Sequence, residues 1–168
     1  MTEGEDMTIS KGDTLPDATV IETAGDSPAQ VQMADKVKGR KVVIFGLPAA
    51  FSGTCTTAHV PSFLKNREAL SARGVDEVIC VSVNDYFAMK AWDKEMGASA
   101  GGITMIADGM AEFTKAIGME FSAPPVGFVD RSKRYTMLVE DGVVTELNIE
   151  ETPGTCTISA AETLLDTM

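Results

Sequence analysis

Three short apolar runs constrain this chain more than anything else in it: Val42–Leu47, Val78–Val83 and Ile103–Ala107. Each is four to eight residues long and rich in branched or aromatic side chains, without polar alternation. Strands covered on both faces read this way. After each run comes a segment with helical spacing. Val60, Phe63, Leu64, Ala69 and Leu70 share one face of a helix predicted over His59–Arg73, which opens near Ser52–Thr57 and ends at Gly74. Asn84-Asp85 caps a second helix running to Met96, and a third spans Ala111–Ile117. The last third changes character. Tyr135–Val139 and Val143–Ile149 flank Glu140-Asp141-Gly142, a tight hairpin turn, and Ser159–Met168 reads as a closing amphipathic helix. At the front, Thr14–Glu22 is expected to form a strand, Gly25–Ala29 a turn, and residues 1–10 to fray. The order βαβαβα followed by ββα implies an α/β domain with a mixed central sheet and helices on both faces, one domain over residues 1–168.

Charge narrows the partners. The formal net charge of −11 disfavours nucleic acid and anionic membrane surfaces. No apolar stretch is long enough to span a bilayer, and the acidic start, Met1–Asp6, lacks the basic and apolar regions of a secretory signal. The three cysteines, Cys55, Cys80 and Cys156, are an odd number and none sits in a CxxC pair. That argues against a disulfide scaffold, a structural zinc site and a dithiol oxidoreductase, and for a working thiol in a reducing, cytoplasmic setting. Neither a metal nor any other cofactor is expected.

Chemistry concentrates in Pro48-Ala49-Ala50-Phe51-Ser52-Gly53-Thr54-Cys55-Thr56-Thr57-Ala58-His59, where a buried strand turns into a helix. A cysteine in the first helical turn meets unpaired backbone N–H groups and the positive end of the helix dipole, both of which favour a thiolate. The thiolate is the nucleophile that attacks an O–O bond. Small neighbours leave the sulfur approachable, and the Ser52 hydroxyl lies within reach. On position alone, Cys55 could equally be a small core side chain. His59, the only histidine, follows Cys55 by one helical turn.

The stretch Phe45–Cys55, continued by His59-Val60-Pro61-Ser62-Phe63, resembles the peroxidatic loop of the peroxiredoxins, and most of all their type II, or peroxiredoxin-five-like, branch. That family's motif is Pro, three residues, Thr or Ser, two residues, Cys, which Pro48, Ser52 and Cys55 match. Further similar blocks are Val75–Asp85, Met89–Trp92 and Arg134–Gly142, so the likeness runs along nearly the whole chain. It implies a thioredoxin-like fold with a front extension and an insertion. It implies a thiol peroxidase for hydrogen peroxide and small alkyl hydroperoxides, with Cys55 as nucleophile, Arg134 and Ser52 as hydrogen-bonding partners of the peroxide, and Pro48 shielding the sulfur. Arg131 is the competing arginine. Thr54, His59 and Phe51 are expected to line the pocket. Cys156, in a loop, and Cys80, on a buried strand, are candidate resolving thiols; glutathione with glutaredoxin, or thioredoxin, is the alternative reductant. A homodimer is also implied. Two residues depart from the branch, Ser52 in place of Thr and Gly53 in place of Pro, and both are expected to loosen the loop. They keep open a peroxide-sensing or partner-binding redox module with slow turnover.

Overall fold

The computed structural model describes residues 8–168. Its strands are β1 (Thr19–Glu22), β2 (Ala29–Gln32), β3 (Lys41–Leu47), β4 (Glu77–Ser82), β5 (Ile103–Ala107), β6 (Glu120–Ala123), β7 (Phe128–Ser132), β8 (Tyr135–Glu140) and β9 (Val143–Ile149). Its helices are α1 (Met33–Val37), α2 (Val60–Lys65), α3 (Arg67–Ala72), α4 (Tyr86–Met96), α5 (Glu112–Ala116) and α6 (Ala161–Thr167), with a π-helical turn at Cys55–His59. Seven strands form one sheet in the order β2-β1-β5-β4-β3-β8-β9, and β6 and β7 pair apart from it. The three apolar runs are its parallel centre, β5-β4-β3. The antiparallel strands lie on either side.

Alternation along the central strands divides the core. Val43, Phe45, Leu47, Val78 and Cys80 face one way, against Phe63, Leu70, Met89, Trp92 and Leu164 of the helices α2, α3, α4 and α6. Val42, Ile44, Ile79 and Val81 face the other way, against Met33, Val37 and Phe113 of α1 and α5. Each central strand is thus apolar on both faces, which is why its sequence shows no period of two. The hairpin turn falls where expected: Asp141 and Gly142 have φ of 48° and 81°, the two left-handed residues a tight two-residue hairpin needs.

The sequence reading needs correction in four places. The predicted helix His59–Arg73 is not continuous. Pro61 cannot donate to the carbonyl four residues back and its ring crowds that carbonyl; the turn before it widens to π geometry, with the Val60 amide bonded to the Cys55 carbonyl. A second break comes at Asn66, whose side-chain amide donates 2.8 Å to the Ser62 carbonyl and 2.9 Å to Glu162. At the front, the strand shortens to β1, with an isolated bridge from Thr14 to Val143, and β2 and α1 follow where only a turn was read. The hairpin β6–β7 went unread because Pro124, Pro125 and Gly127 interrupt its pattern. Of the residues expected to fray, 1–7 lie outside the described ones. Ile9, by contrast, is packed in the core, and its amide donates to the Ile117 carbonyl at 2.9 Å. No described helix is long and apolar enough to cross a membrane.

Candidate active site

β3 ends at Leu47, Pro48 follows, and the chain turns through Ala49–Thr54 into the π-turn that begins with Cys55. Phe51 takes a left-handed φ of 65° in this turn. The neighbouring strand's loop pins it, since Asn84 Oδ1 accepts from the Ala50 amide at 3.0 Å. Cys55 is thereby delivered into the base of the site with no exposed surface.

Two donors converge on its sulfur. Arg134 Nη2 lies 3.1 Å from Cys55 Sγ and Ser52 Oγ 2.8 Å from it. Ser52 Oγ is also 2.9 Å from the Ala49 carbonyl. A hydroxyl has one proton for two acceptors. With Cys55 as a thiol, S–H can donate to Oγ while O–H donates to Ala49; with Cys55 as a thiolate, O–H turns to the sulfur. The serine is a rotor that accommodates both states. Gly53 adds no distortion: its φ is not left-handed and a Cβ there would meet nothing within 4 Å.

Arg134 is 1% exposed, and each side of its guanidinium is used. Nη2 faces the sulfur, Nε donates 2.9 Å to the Pro153 carbonyl, and Nη1 lies 3.0 Å from His59 Nδ1. Because the guanidinium only donates, His59 Nδ1 must accept. The proton therefore sits on Nε2, which donates to the Ser159 carbonyl at 3.1 Å. Burial, and then the Arg134 charge, depress the His59 pKa from 6.5 to about 3. The histidine is neutral and has one tautomer.

A cavity of about 410 Å³ opens above these groups. Pro48, Ser52, Gly53, Thr54 and Arg134 line it, with Pro153 and Gly154; Phe121, Ala123, Val126 and Phe128 give it an apolar wall. Thr54 is held at its mouth by donation to the Gly154 carbonyl at 2.7 Å. Two expected pocket residues are not on its surface. His59 is fully buried behind Arg134, because its two nitrogens are committed to Arg134 and Ser159. Phe51 turns outward, 54% exposed, with its ring 6.3 Å from that of Trp92, because its left-handed backbone points it away from the sulfur. Arg131 stacks on Phe128, 5.4 Å from the ring centroid, and does not compete with Arg134 for the sulfur.

The other cysteines have different surroundings. Cys80, on β4, is fully buried, and burial pushes its thiol well above the ordinary range. Cys156 is half-buried in the loop after β9, and burial raises its thiol as well. It lines a separate surface depression with Ala58, Pro61, Ser62 and Lys65. No disulfide joins the three.

A model of the Redoxin family matches residues 10–165. Peroxiredoxin-2C of Oryza sativa subsp. japonica is 43% identical over 158 residues, covering 94% of this chain and 96% of that protein. Peroxiredoxin-2B of Arabidopsis thaliana is 40% identical over 160 residues, with the same coverage of 94% and 96%. The chain belongs to the peroxiredoxin family. Among solved structures, the reduced Prx3 of Vibrio vulnificus in complex with hydrogen peroxide superposes with a TM-score of 0.88 at 41% identity, covering 95% of this chain and 99% of that one. Peroxiredoxins are thiol peroxidases, and this chain is one. Its thioredoxin-like fold is the one the family resemblance implied.

Three features of this peroxiredoxin's site were missed by sequence reasoning. The wall Phe121–Phe128 belongs to the unread hairpin. The Ser159 carbonyl that fixes His59 is backbone, which no residue pattern announces. Glu150, whose carboxylate gathers the loop above Arg134, is one of many acidic residues in the chain and carries no motif. Only its place next to the end of a predicted strand could have drawn attention to it.

Proposed function

We propose that Cys55 reduces hydrogen peroxide and small alkyl hydroperoxides in a pocket built by Arg134, Ser52, Pro48 and Thr54. The convergence of Arg134 Nη2 and Ser52 Oγ on one sulfur carries this reading. In the resting site the two donors face the sulfur. A peroxide entering from the cavity takes over the same donors, which then bind its oxygens. Sulfur attacks one oxygen, the S–O bond forms as the O–O bond breaks, and the leaving alkoxide or hydroxide takes a proton to depart as alcohol or water. Arg134 suits the charge that moves from sulfur to oxygen because it stays cationic and presents a fixed fork. The apolar wall of Phe121, Val126 and Phe128 supports organic tails on the substrate as well as hydrogen peroxide itself.

The sulfenic acid is then reduced by an external thiol, glutathione with glutaredoxin or thioredoxin, which a cytoplasmic setting supplies. Burial keeps both Cys80 and Cys156 in the unreactive thiol form, and Cys156 opens into a different depression. The peroxiredoxin acts as a homodimer. Phe51, Phe87 and Met110, which are 54%, 76% and 88% exposed, follow the adjacent strands β3, β4 and β5. Their loops touch through Ala50, Asn84 and Gly109, so the apolar side chains lie along one edge beside the site.

The test treats reduced protein with one equivalent of hydrogen peroxide, quenches early and maps each cysteine by mass spectrometry. Cys55 oxidises first, as the sulfenic acid or as a mixed disulfide with added glutathione. An early Cys55–Cys156 or Cys55–Cys80 disulfide would replace the external reductant with an internal one. A Cys55 that stays reduced while free thiols in the same tube oxidise would remove the assignment of the nucleophile.

A further inference from the structure

The loop between β9 and α6 lacks regular secondary structure, yet three of its carbonyls hold the machinery around Cys55. Pro153 O accepts from Arg134 Nε at 2.9 Å, Gly154 O from Thr54 Oγ1 at 2.7 Å, and Ser159 O from His59 Nε2 at 3.1 Å. Through His59, the Ser159 carbonyl also sets the lone pair that receives Arg134 Nη1. Two of the three sides of the guanidinium are thus aimed, directly or through one side chain, by this loop.

What holds the loop is the carboxylate of Glu150, which is 7% exposed. Oε2 accepts from the Thr157 amide at 2.7 Å, the Ser159 amide at 2.7 Å and the Ser159 hydroxyl at 2.6 Å. Oε1 accepts from the Thr157 hydroxyl at 3.1 Å and the Thr155 hydroxyl at 3.3 Å. The base of this clamp is fixed to the same arginine, since the Glu150 amide donates to the Arg134 carbonyl at 2.9 Å. Glu150 itself has no contact with Cys55 and no part in the proton or electron movements of the reaction.

We infer that Glu150 is a positioning residue of the peroxidase: its carboxylate folds the 153–159 loop so that the Pro153 and Ser159 carbonyls aim Arg134 at the Cys55 sulfur. The inference rests on the role given to Arg134 above. Removing the carboxylate deprives the Thr157 and Ser159 amides and hydroxyls of their acceptor and leaves Thr155 Oγ1 to the Thr152 carbonyl at 3.1 Å, so the carbonyls on the other side of the loop lose their fixed places. The guanidinium, released on two sides, then swings away from the sulfur.

The experiment is a double-mutant cycle on the full chain, with Arg134→Lys as the second change, since lysine keeps the charge and has no fork for the loop to aim. The rate of Cys55 oxidation by hydrogen peroxide is read in single turnover. Fluorescence of Trp92, the sole tryptophan, reports it, because its Nε1 donates 3.3 Å to Thr56 beside Cys55. Glu150→Ala slows oxidation about tenfold in the arginine protein and less than about twofold in the lysine protein, because its effect passes through the fork. Glu150→Asp, which keeps the charge but is one methylene too short for all five donors, falls between Ala and the native protein. If Glu150→Ala does not fold by circular dichroism, Glu150→Asp is judged by the same cycle. The inference is overturned if the folded variant slows oxidation by less than about threefold, or if the slowing is carried undiminished into the lysine protein. If Arg134→Lys alone leaves the rate unchanged, the role of Arg134 falls instead, and that result is read independently of Glu150.

Discussion

Cys55 and Cys80 lie in one apolar cluster, both without exposed surface, the first in the π-turn before α2 and the second on β4. They differ in what faces the sulfur. Around Cys55 a hydroxyl at 2.8 Å and a guanidinium at 3.1 Å both donate to it. Cys80 has no side-chain hydrogen bond among the described residues, and burial, the largest influence on it, pushes its thiol well above the ordinary range. Burial without donors therefore keeps a cysteine inert, and burial by itself does not make one reactive. The donors admitted with it do, because a desolvated thiolate persists only where fixed dipoles and charges replace the water it has lost.

The widest separation is expected from removing each sulfur in turn. Cys55→Ser abolishes peroxide-dependent turnover with a thiol donor. Cys80→Ala leaves turnover within about twofold of native and costs only about 1–2 kcal/mol of stability, for a small void in the sheet core. Steady-state peroxidase assays and urea unfolding of the two variants check both halves. A Cys80→Ala protein without turnover would break the comparison, since it would place Cys80 in the catalytic cycle.

Next in size is the charge at Cys55. Arg134→Lys keeps a cation but forfeits the fork that meets the sulfur, Pro153 and His59 together. Oxidation of Cys55 by hydrogen peroxide, followed by stopped flow, is expected to slow about 10- to 100-fold, the scale of one hydrogen bond to a charged group. The same change should leave the alkylation of unfolded protein untouched, which separates the site from the thiol.

A smaller effect lies behind the arginine. His59 is kept neutral down to about pH 3 in the fold, against 6.5 when free. As pH falls below 6.5 the unfolded chain gains a proton that the folded chain does not, so stability drops between 6.5 and about 3. By pH 5 the loss is about 2 kcal/mol relative to pH 7.5. The depressed carboxyls of Glu77 and Glu150 lose their contribution only at lower pH, below their unfolded value of 4.5, and Asp108, raised by burial, acts in the opposite sense. Urea titrations at the two pH values test this. His59→Gln keeps an acceptor for Arg134 and a donor for Ser159 but cannot titrate, and its stability should change less over the same range.

The parts of this site differ in how far the sequence disclosed them. Cys55, Ser52 and Pro48 are close in the chain, and the strand-to-helix turn that joins them leaves a local pattern. Arg134 lies far along the chain, and what distinguishes it from Arg131 in the sequence is its resemblance to a family block and its place directly before a strand. The central strands were legible because burial on both faces demands unbroken apolar runs. The break at Asn66 and the hairpin β6–β7 were not, because side-chain capping and a Pro-Pro-Val-Gly turn imitate a helix face and a loop. His59 shows the limit most plainly. Its spacing from Cys55 places it on the same side of the turn, yet its direction is set by a carbonyl one hundred residues away, that of Ser159.

The finest test of what distinguishes the two cysteines is the Ser52 rotor. If the hydroxyl is what the sulfur needs, Ser52→Ala removes one hydrogen bond from the reacting sulfur and slows Cys55 oxidation about fivefold, roughly 1 kcal/mol. Ser52→Thr adds a methyl that restricts the rotamer. The serine is already fixed between Ala49 and Cys55, at 2.9 and 2.8 Å, so little freedom remains for the methyl to remove. The threonine variant should therefore react within about twofold of native. A much larger gain would mean that the rotor spends most of its time turned away from the sulfur, and that Arg134 alone separates Cys55 from Cys80.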